Sequence, residues 1–406
     1  MSVPDPSLRR IMPFAILYAS EGAPIGFIWW ALPTLLRSAD VPVDRITSLT
    51  AVVLLPWVFK FLWAPLLDLL RGPRWGYRAW IISMQALMAA ALVPLIWVDP
   101  VGGFEWWRTL LLAHAVAAST QDVAIDALAI NAVPPESRGR LNGAMQAGML
   151  TGRSVFGGGV LLIGTWLGIA GMIATLVLWI AVAMIAALWL RQIEPPHRSG
   201  GASFAGALAA AARMKTTWIG LAFALVSAAA FEATGQLAGP FLVDRNVPSA
   251  TIGVFFGVVV VAAMLTGGLA GGAAADRFGK PATAAVSLLG FTTFILVLSG
   301  ADAGGAAGAA VLIALPAGMY FFVGVFTAAS YALFMDLTDP RLGATQFSAY
   351  MAATNACESW SAWGGGRVAA AHGYPAAFVV MSLVSLASLP LLAVMRRMAG
   401  RRSSGH

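Results

Sequence analysis

Apolar runs recur from one end of the 406-residue chain to the other, parted by short polar stretches. Each is about the 20 residues a helix needs to cross the hydrocarbon core of a bilayer. With 59% hydrophobic and 11% charged residues, and a mean hydropathy of +0.80, an ordinary soluble domain is excluded. Twelve spans are read, at 11–36, 46–67, 79–98, 108–131, 141–164, 170–190, 217–242, 250–274, 282–300, 308–335, 344–364 and 376–395. Met12 to Leu36 is too long for a signal peptide and lacks a small-residue cleavage site, so it is read as the first span.

Charged residues stand inside these runs: Glu21, Lys60, Asp122, Asp126 and Arg153 in the first half, Glu232 and Glu358 in the second. A charge at the bilayer centre costs on the order of 3 kcal/mol, so such residues mark function by default. At 1.5 Å rise per residue, Glu21 and Asp122 lie about 15 Å from the cytoplasmic ends of their spans and Arg153 roughly 18 Å. Glu232 and Glu358 share a depth of about 21 Å. Lys60 and Asp126 sit nearer the cytoplasm. Depth therefore suggests Arg153 with Asp122, and Lys60 with Asp126, the latter either a structural pair or part of the site. Asp122 and Asp126, four residues apart, share a helix face. Two such carboxylates in low dielectric resist ionising together, which suits a proton carrier. Glu21 is either a proton carrier or a packing acid held neutral. Trp29 and Trp30 are candidates to line a cavity, whereas Trp75, Trp106, Trp107, Trp166 and Trp218 near span ends read as interface anchors.

Counting Lys and Arg orients the chain. With the N-terminus inside, 18 fall in cytoplasmic segments and only five opposite, so both termini are expected in the cytoplasm. The net charge of +7 then reflects topology and calls for no nucleic-acid partner. The expected domains are an N-terminal bundle at 1–190, a cytoplasmic linker at 191–216 and a C-terminal bundle at 217–406. The halves echo at a spacing near 206: Pro33, Arg37 and Val41-Pro42 recur as Pro240, Arg245 and Val247-Pro248, and Asp68 recurs as Asp276. Asp68 with Arg71, and Asp276 with Arg277, at cytoplasmic helix ends, are candidate gate residues. Two parallel six-helix repeats are the architecture of major facilitator transporters, with the site near the midplane.

Leu55-Pro56-Trp57, Lys60-Phe61-Leu62-Trp63-Ala64-Pro65 and Asp68 resemble the second-span signature of the AmpG-like muropeptide permeases and acetyl-CoA transporters. Gln121-Asp122 with Asp126 is similar to their fourth-span signature, Gly22, Pro24 and Gly26 to their first-span pattern, and Ala344-Thr345-Gln346-Phe347 to the start of their eleventh span. In length the chain resembles the RhtX/FptX branch, which implies siderophore import; muropeptide import is the alternative, and efflux a further one. The resemblance implies an all-helical transporter, working as a monomer in the bacterial inner membrane, that moves a small organic solute with protons.

Other classes find little support. The single Cys357 and four scattered histidines offer no metal cluster or disulfide framework, and no cofactor is expected. There is no nucleophile–base set for an enzyme and no Walker motif for a primary pump. Glycines at Gly157 to Gly159, Gly267-Gly268 and Gly271-Gly272 lie inside spans and are expected to let helices approach closely.

Overall fold

A computed structural model describes residues 8–70, 75–132, 138–188, 204–305, 308–338 and 343–403. Among the described residues the regular structure is entirely helical. In the first half, α1 (Leu8–Gly26) runs through a π-helical turn (Phe27–Ala31) into α2 (Leu32–Ser38). Then come α3 (Val43–Leu69), α4 (Tyr77–Leu92), α5 (Phe104–Ala132), and α6 (Arg138–Ser154) continuing through a second π turn (Val155–Gly159) into α7 (Val160–Leu188). The second half holds α8 (Phe204–Ala212), α9 (Lys215–Val226), α10 (Ala229–Asp244), α11 (Ser249–Val254), a third π turn (Phe255–Val260) and α12 (Val261–Phe278). It ends with α13 (Lys280–Ala303), α14 (Ala309–Leu337), α15 (Gly343–His372), α16 (Tyr374–Leu386) and α17 (Leu389–Ser403).

Among the described residues nine helical stretches are long and apolar enough to cross a membrane. One of them, Gly143–Leu188, is two spans joined end to end, since Gly168 breaks it with φ +64° and ψ −170°. Phe104–Ala132 and Gly343–His372 are long enough, at 29 and 30 residues, but more polar, because they carry site residues. The twelve expected spans are all accounted for. The repeat is visible in the backbone too. Asp40 (φ 61°) and Asn246 (φ 57°) take the left-handed conformation at corresponding turns, each just before the recurring Val-Pro pair. Asp and Asn are among the few non-glycine residues that tolerate it. Residues 191–203 of the expected linker lie outside the described residues, and α8 follows.

The helices gather into two compact units. The first is Met1–Ala39, Phe59–Ser199 and Pro248–Gly257; the second is Asp40–Val58, Gly200–Val247 and Val258–His406. In the first unit α1 crosses α6 backbone on backbone. A Cβ added at Gly22 would stand 2.1 Å from the Met149 carbonyl oxygen, one at Gly148 2.1 Å from that of Ala15, and one at Gly152 2.1 Å from that of Ala19. Residues 22 and 26 on α1, and 148 and 152 on α6, are spaced four apart, the small-residue stripe that lets membrane helices touch. The three π turns also meet here. Trp30 of the first stacks on Phe256 of the third, with centroids 5.4 Å apart at 11°. A Cβ at Gly157 in the second would fall 2.4 Å from the Trp30 ring, and one at Gly158 2.1 Å from the Gly257 amide. The Ser154 hydroxyl donates to the Gly257 carbonyl.

In the second unit Gly267 and Gly271 of α12 lie against the α14 backbone, at 2.0 Å from the Phe321 oxygen and 2.6 Å from the Val325 Cα for an added Cβ. Phe231, Phe291 and Phe326 form an edge-to-face core at centroid distances of 5.2 to 6.0 Å. Two spans are interrupted near mid-membrane: α9 gives way to α10 at Ser227–Ala228, and α16 to α17 at Ala387–Ser388. The breaks brace one another, because the Ala230 amide donates 2.8 Å to Ser385 Oγ. The start of α3 also packs here: the Ser359 hydroxyl donates 2.9 Å to the Ala51 carbonyl and Gly366 abuts Thr47. Gln346, from the eleventh-span motif, donates 2.7 Å to Thr217 Oγ1 and so ties α15 to the start of α9. Beyond the end of α10, Arg245 grips Asp302 with two bonds of 2.5 and 2.6 Å.

Candidate functional site

The first unit brings four of the expected charges together. Lys60 from α3 donates to Asp122 on α5, in a salt bridge whose side chains are 27% and 14% exposed. One turn further along α5, Asp126 accepts the Tyr18 hydroxyl from α1. Glu21, one turn after Tyr18, is 4% exposed and lies within electrostatic range of Asp122, Asp126 and Lys60. Three helices thus contribute to one knot of three carboxylates, one ammonium and one phenol.

Packing places these groups. The glycine crossing fixes α1 against α6. Trp63 Nε1 donates 3.1 Å to Thr120 Oγ1 and pins α3 to α5 one turn from the ion pair. Gln85 Nε2 reaches Ser20 Oγ at 3.4 Å, joining α4 to α1 beside Glu21. His114, fully buried, meets the Met88 carbonyl through Nδ1 at 3.1 Å and so joins α5 to α4. Around the knot, Gln85 Oε1 and, on α6, Arg153 Nε are buried without a hydrogen-bond partner. Such atoms are costly unless satisfied.

The expected pairing by depth is corrected. Asp122 takes Lys60, not Arg153, and Asp126 takes Tyr18. Glu21, grouped by depth with Arg153, belongs electrostatically with Lys60 and the two aspartates. Tyr18 was missed, although its position one helical turn before Glu21 was the available signal. Trp30 is not a free cavity wall: it is 6% exposed and occupied by Phe256 and Gly157. Trp29 beside it is half-buried. Trp107 is not an interface anchor either, being fully buried with Nε1 bonded 3.0 Å to the Val98 carbonyl. Trp75, Trp106, Trp166 and Trp218 are exposed as expected.

In the second unit Glu232 and Glu358 are both half-buried, and Gln236 Nε2 donates 3.4 Å to Glu358 Oε1. Of the gate candidates, Asp276 lines a cavity of about 320 Å³ with Thr216, Lys280 and Asp336. Lys280 bridges to Asp336 at 2.6 Å, and Arg277 lies over the Phe278 ring at 5.2 Å. Asp68 is in the last turn of α3 with its side chain outside the described residues, as Arg71 is altogether. No group of metal-holding side chains occurs among the described residues.

Comparison with known proteins bears on the family and the fold. Residues 14–356 match the family model of the Major Facilitator Superfamily. The Anhydromuropeptide permease of Escherichia coli is 27% identical over 184 residues, covering 45% of this chain and 36% of that protein. The Putative transporter AmpG 4 of Rickettsia conorii is 29% identical over 156 residues, 37% of each chain. The chain thus spans little more than a third of the length of the curated relatives it matches. Among solved structures, a D-xylose-proton symporter superposes with a TM-score of 0.74 at 13% identity, covering 95% of this chain and 97% of that one. A bacterial homolog of the human lysosomal transporter Spinster, inward-facing and unoccupied, gives 0.72 at 14% identity, covering 96% and 98%. At these identities the structures speak for the fold alone.

Proposed function

This chain belongs to the Major Facilitator Superfamily, and from that premise we propose that it is a proton-coupled importer of an anhydromuropeptide-like glycopeptide across the bacterial inner membrane. Like the family, it is an integral membrane transporter of the twelve-helix fold and not an enzyme. The observation that carries the proposal is the knot of Tyr18, Glu21, Lys60, Asp122 and Asp126. One ammonium offsets one of three carboxylates, and burying the remaining negative charge unpaired is costly. Protons neutralise the surplus, and their arrival changes the bonds that join helices. A proton on Asp126 removes the anionic acceptor of Tyr18 and loosens α1 from α5. Glu21 and Arg153, whose Nε lacks a partner, are the groups offered to the solute. With both termini cytoplasmic, Asp276 and Arg277, with Lys280 and Asp336, latch the cytoplasmic end of the second half. One chain suffices for the cycle.

The name of the Escherichia coli relative favours the muropeptide class, and import of a siderophore is the competing reading. Purified protein in liposomes, under an imposed pH gradient, is expected to accumulate an anhydromuropeptide with dissipation of the gradient. Asp122→Asn and Glu21→Gln are each expected to uncouple uptake from protons. Accumulation of ferric siderophores instead would reassign the cargo, uptake indifferent to the gradient would end the coupling proposal, and counterflow only against the gradient would make it an exporter.

A further inference from the structure

The second unit holds its own polar cluster, which the proton-coupling knot does not use. Glu232 lies in the first turn of α10, just past the interruption of its span. Gln236, four residues on, shares its helix face. Glu358 is at the middle of the 30-residue α15. Gln236 is 1% exposed and its amide is aimed at this point by the 3.4 Å bond from Nε2 to Glu358 Oε1. Its other amide atom, Oε1, is buried without a partner. Gln236 therefore links the two helices, sharing a face of α10 with Glu232 and reaching Glu358 on α15. Both carboxylates are half-buried, while Gln236 is buried.

We propose that Glu232, Gln236 and Glu358 form a subsite that recognises a primary ammonium group of the transported solute. An ammonium carries three donors and no acceptor. Two carboxylates and one orphaned amide oxygen offer it three acceptors, two of them anionic, and charge-assisted bonds are the strong ones. A group without a hydrogen-bond donor at the same place would leave Gln236 Oε1 unsatisfied. The interrupted span supports the placement: the backbone freed at Ser227–Ala228 is tied off by Ser385, which holds the first turn of α10, and so Glu232, in a fixed position. The subsite rests on the transport reading for its purpose but not for its detection.

The test is therefore a binding experiment on the purified full-length chain in detergent. Thermal unfolding is followed with n-butylammonium, n-butanol and sodium chloride as probes. Butylammonium is expected to raise the melting temperature saturably and butanol to have no effect. The isosteric Glu232→Gln and Glu358→Gln are each expected to weaken butylammonium binding about tenfold or more, with unfolding in the absence of probe nearly unchanged. Equal shifts in wild type and both variants would overturn the subsite, and an equal response to sodium would reassign it to an inorganic cation. In liposomes, an N-acetylated solute is expected to raise the half-saturating concentration for the wild type but not for Glu232→Gln. If butylammonium is recognised but no solute is carried, the transport reading fails alone. If uptake runs with no ammonium recognition, the subsite fails alone.

Discussion

The α1–α6 crossing makes a sharp quantitative demand on Gly148. An alanine methyl there would stand 2.1 Å from the Ala15 carbonyl oxygen and 3.2 Å from its Cα. Carbon–oxygen contacts settle at about 3.3 Å or more, so the two helices must part by roughly 1 Å. Neither partner is a side chain that can turn away. Parting at Gly148 also opens the contacts at Gly22 and Gly152, each 2.1 Å for an added Cβ. Overpacking costs about 1–3 kcal/mol, and a rigid backbone contact belongs at the top of that range. Alanine returns up to about 1 kcal/mol of helix propensity, leaving a net loss of about 2 kcal/mol. Gly143, on the same helix, has nothing within 4 Å of an added Cβ, so Gly143→Ala is expected to gain that propensity and lose nothing. Thermal unfolding in detergent, followed by tryptophan fluorescence through the buried Trp30 and Trp107, should place Gly148→Ala several degrees below Gly143→Ala. If Gly148→Ala melts at or above Gly143→Ala, the backbone-on-backbone crossing is wrong.

The ion pair gives a second prediction. Lys60→Met leaves Asp122 mostly buried and uncompensated, at about 3 kcal/mol, and adding Asp122→Leu should recover most of the loss in the same melt. Tyr18→Phe keeps the ring but removes the donor to Asp126; transport assays should find a changed pH profile with little change in stability, whereas an unchanged profile would separate Tyr18 from the proton path. Ser385→Ala strands the Ala230 amide and should cost about 1–3 kcal/mol, with hydrogen exchange rising first at the α9–α10 break. Arg245→Lys cannot reproduce the two-pronged grip on Asp302, and a double-mutant cycle with Asp302→Asn should report coupling that vanishes in the lysine background.

The membrane architecture was legible because hydropathy and length decide it, and even the two polar spans were found by reading their charges as function. The site was legible only in one coordinate. Counting residues along a span gives height, and it sets Lys60, Asp122, Asp126 and Glu21 within the spans, where Glu21 is buried and the other three are half-buried. It gives no azimuth. Which carboxylate meets Lys60 depends on how α3 is rotated against α5, and that is set by contacts such as Trp63 with Thr120. Arg153 shares a height with Asp122, yet Asp122 bonds to Lys60 on α3. Trp30 looked available because its neighbours in space, Phe256 and Gly157, are remote in sequence. Gln236 had a local signal, four residues after Glu232, but its importance follows from Glu358 arriving on another helix.

The π turns carry a consequence for how this chain can change over time. Each places an extra residue in the helical ladder, and one residue is about 100° of rotation. Removing one residue from Val155–Gly159 would restore regular winding and leave the side chains beyond it, the buried Leu161 among them, on their faces, whereas a deletion in the regular helix would turn them by that angle. The same holds at Phe27–Ala31, where Tyr18 and Glu21 lie on one side and Leu32 and Leu36 on the other. A span with such a turn is geared rather than rigidly coupled: the stretch that bears charge and the stretch that bears packing can be tuned separately. In these spans a one-residue deletion within the turn should therefore be better tolerated than one in the regular helix on either side, which turns one stretch out of register with the other.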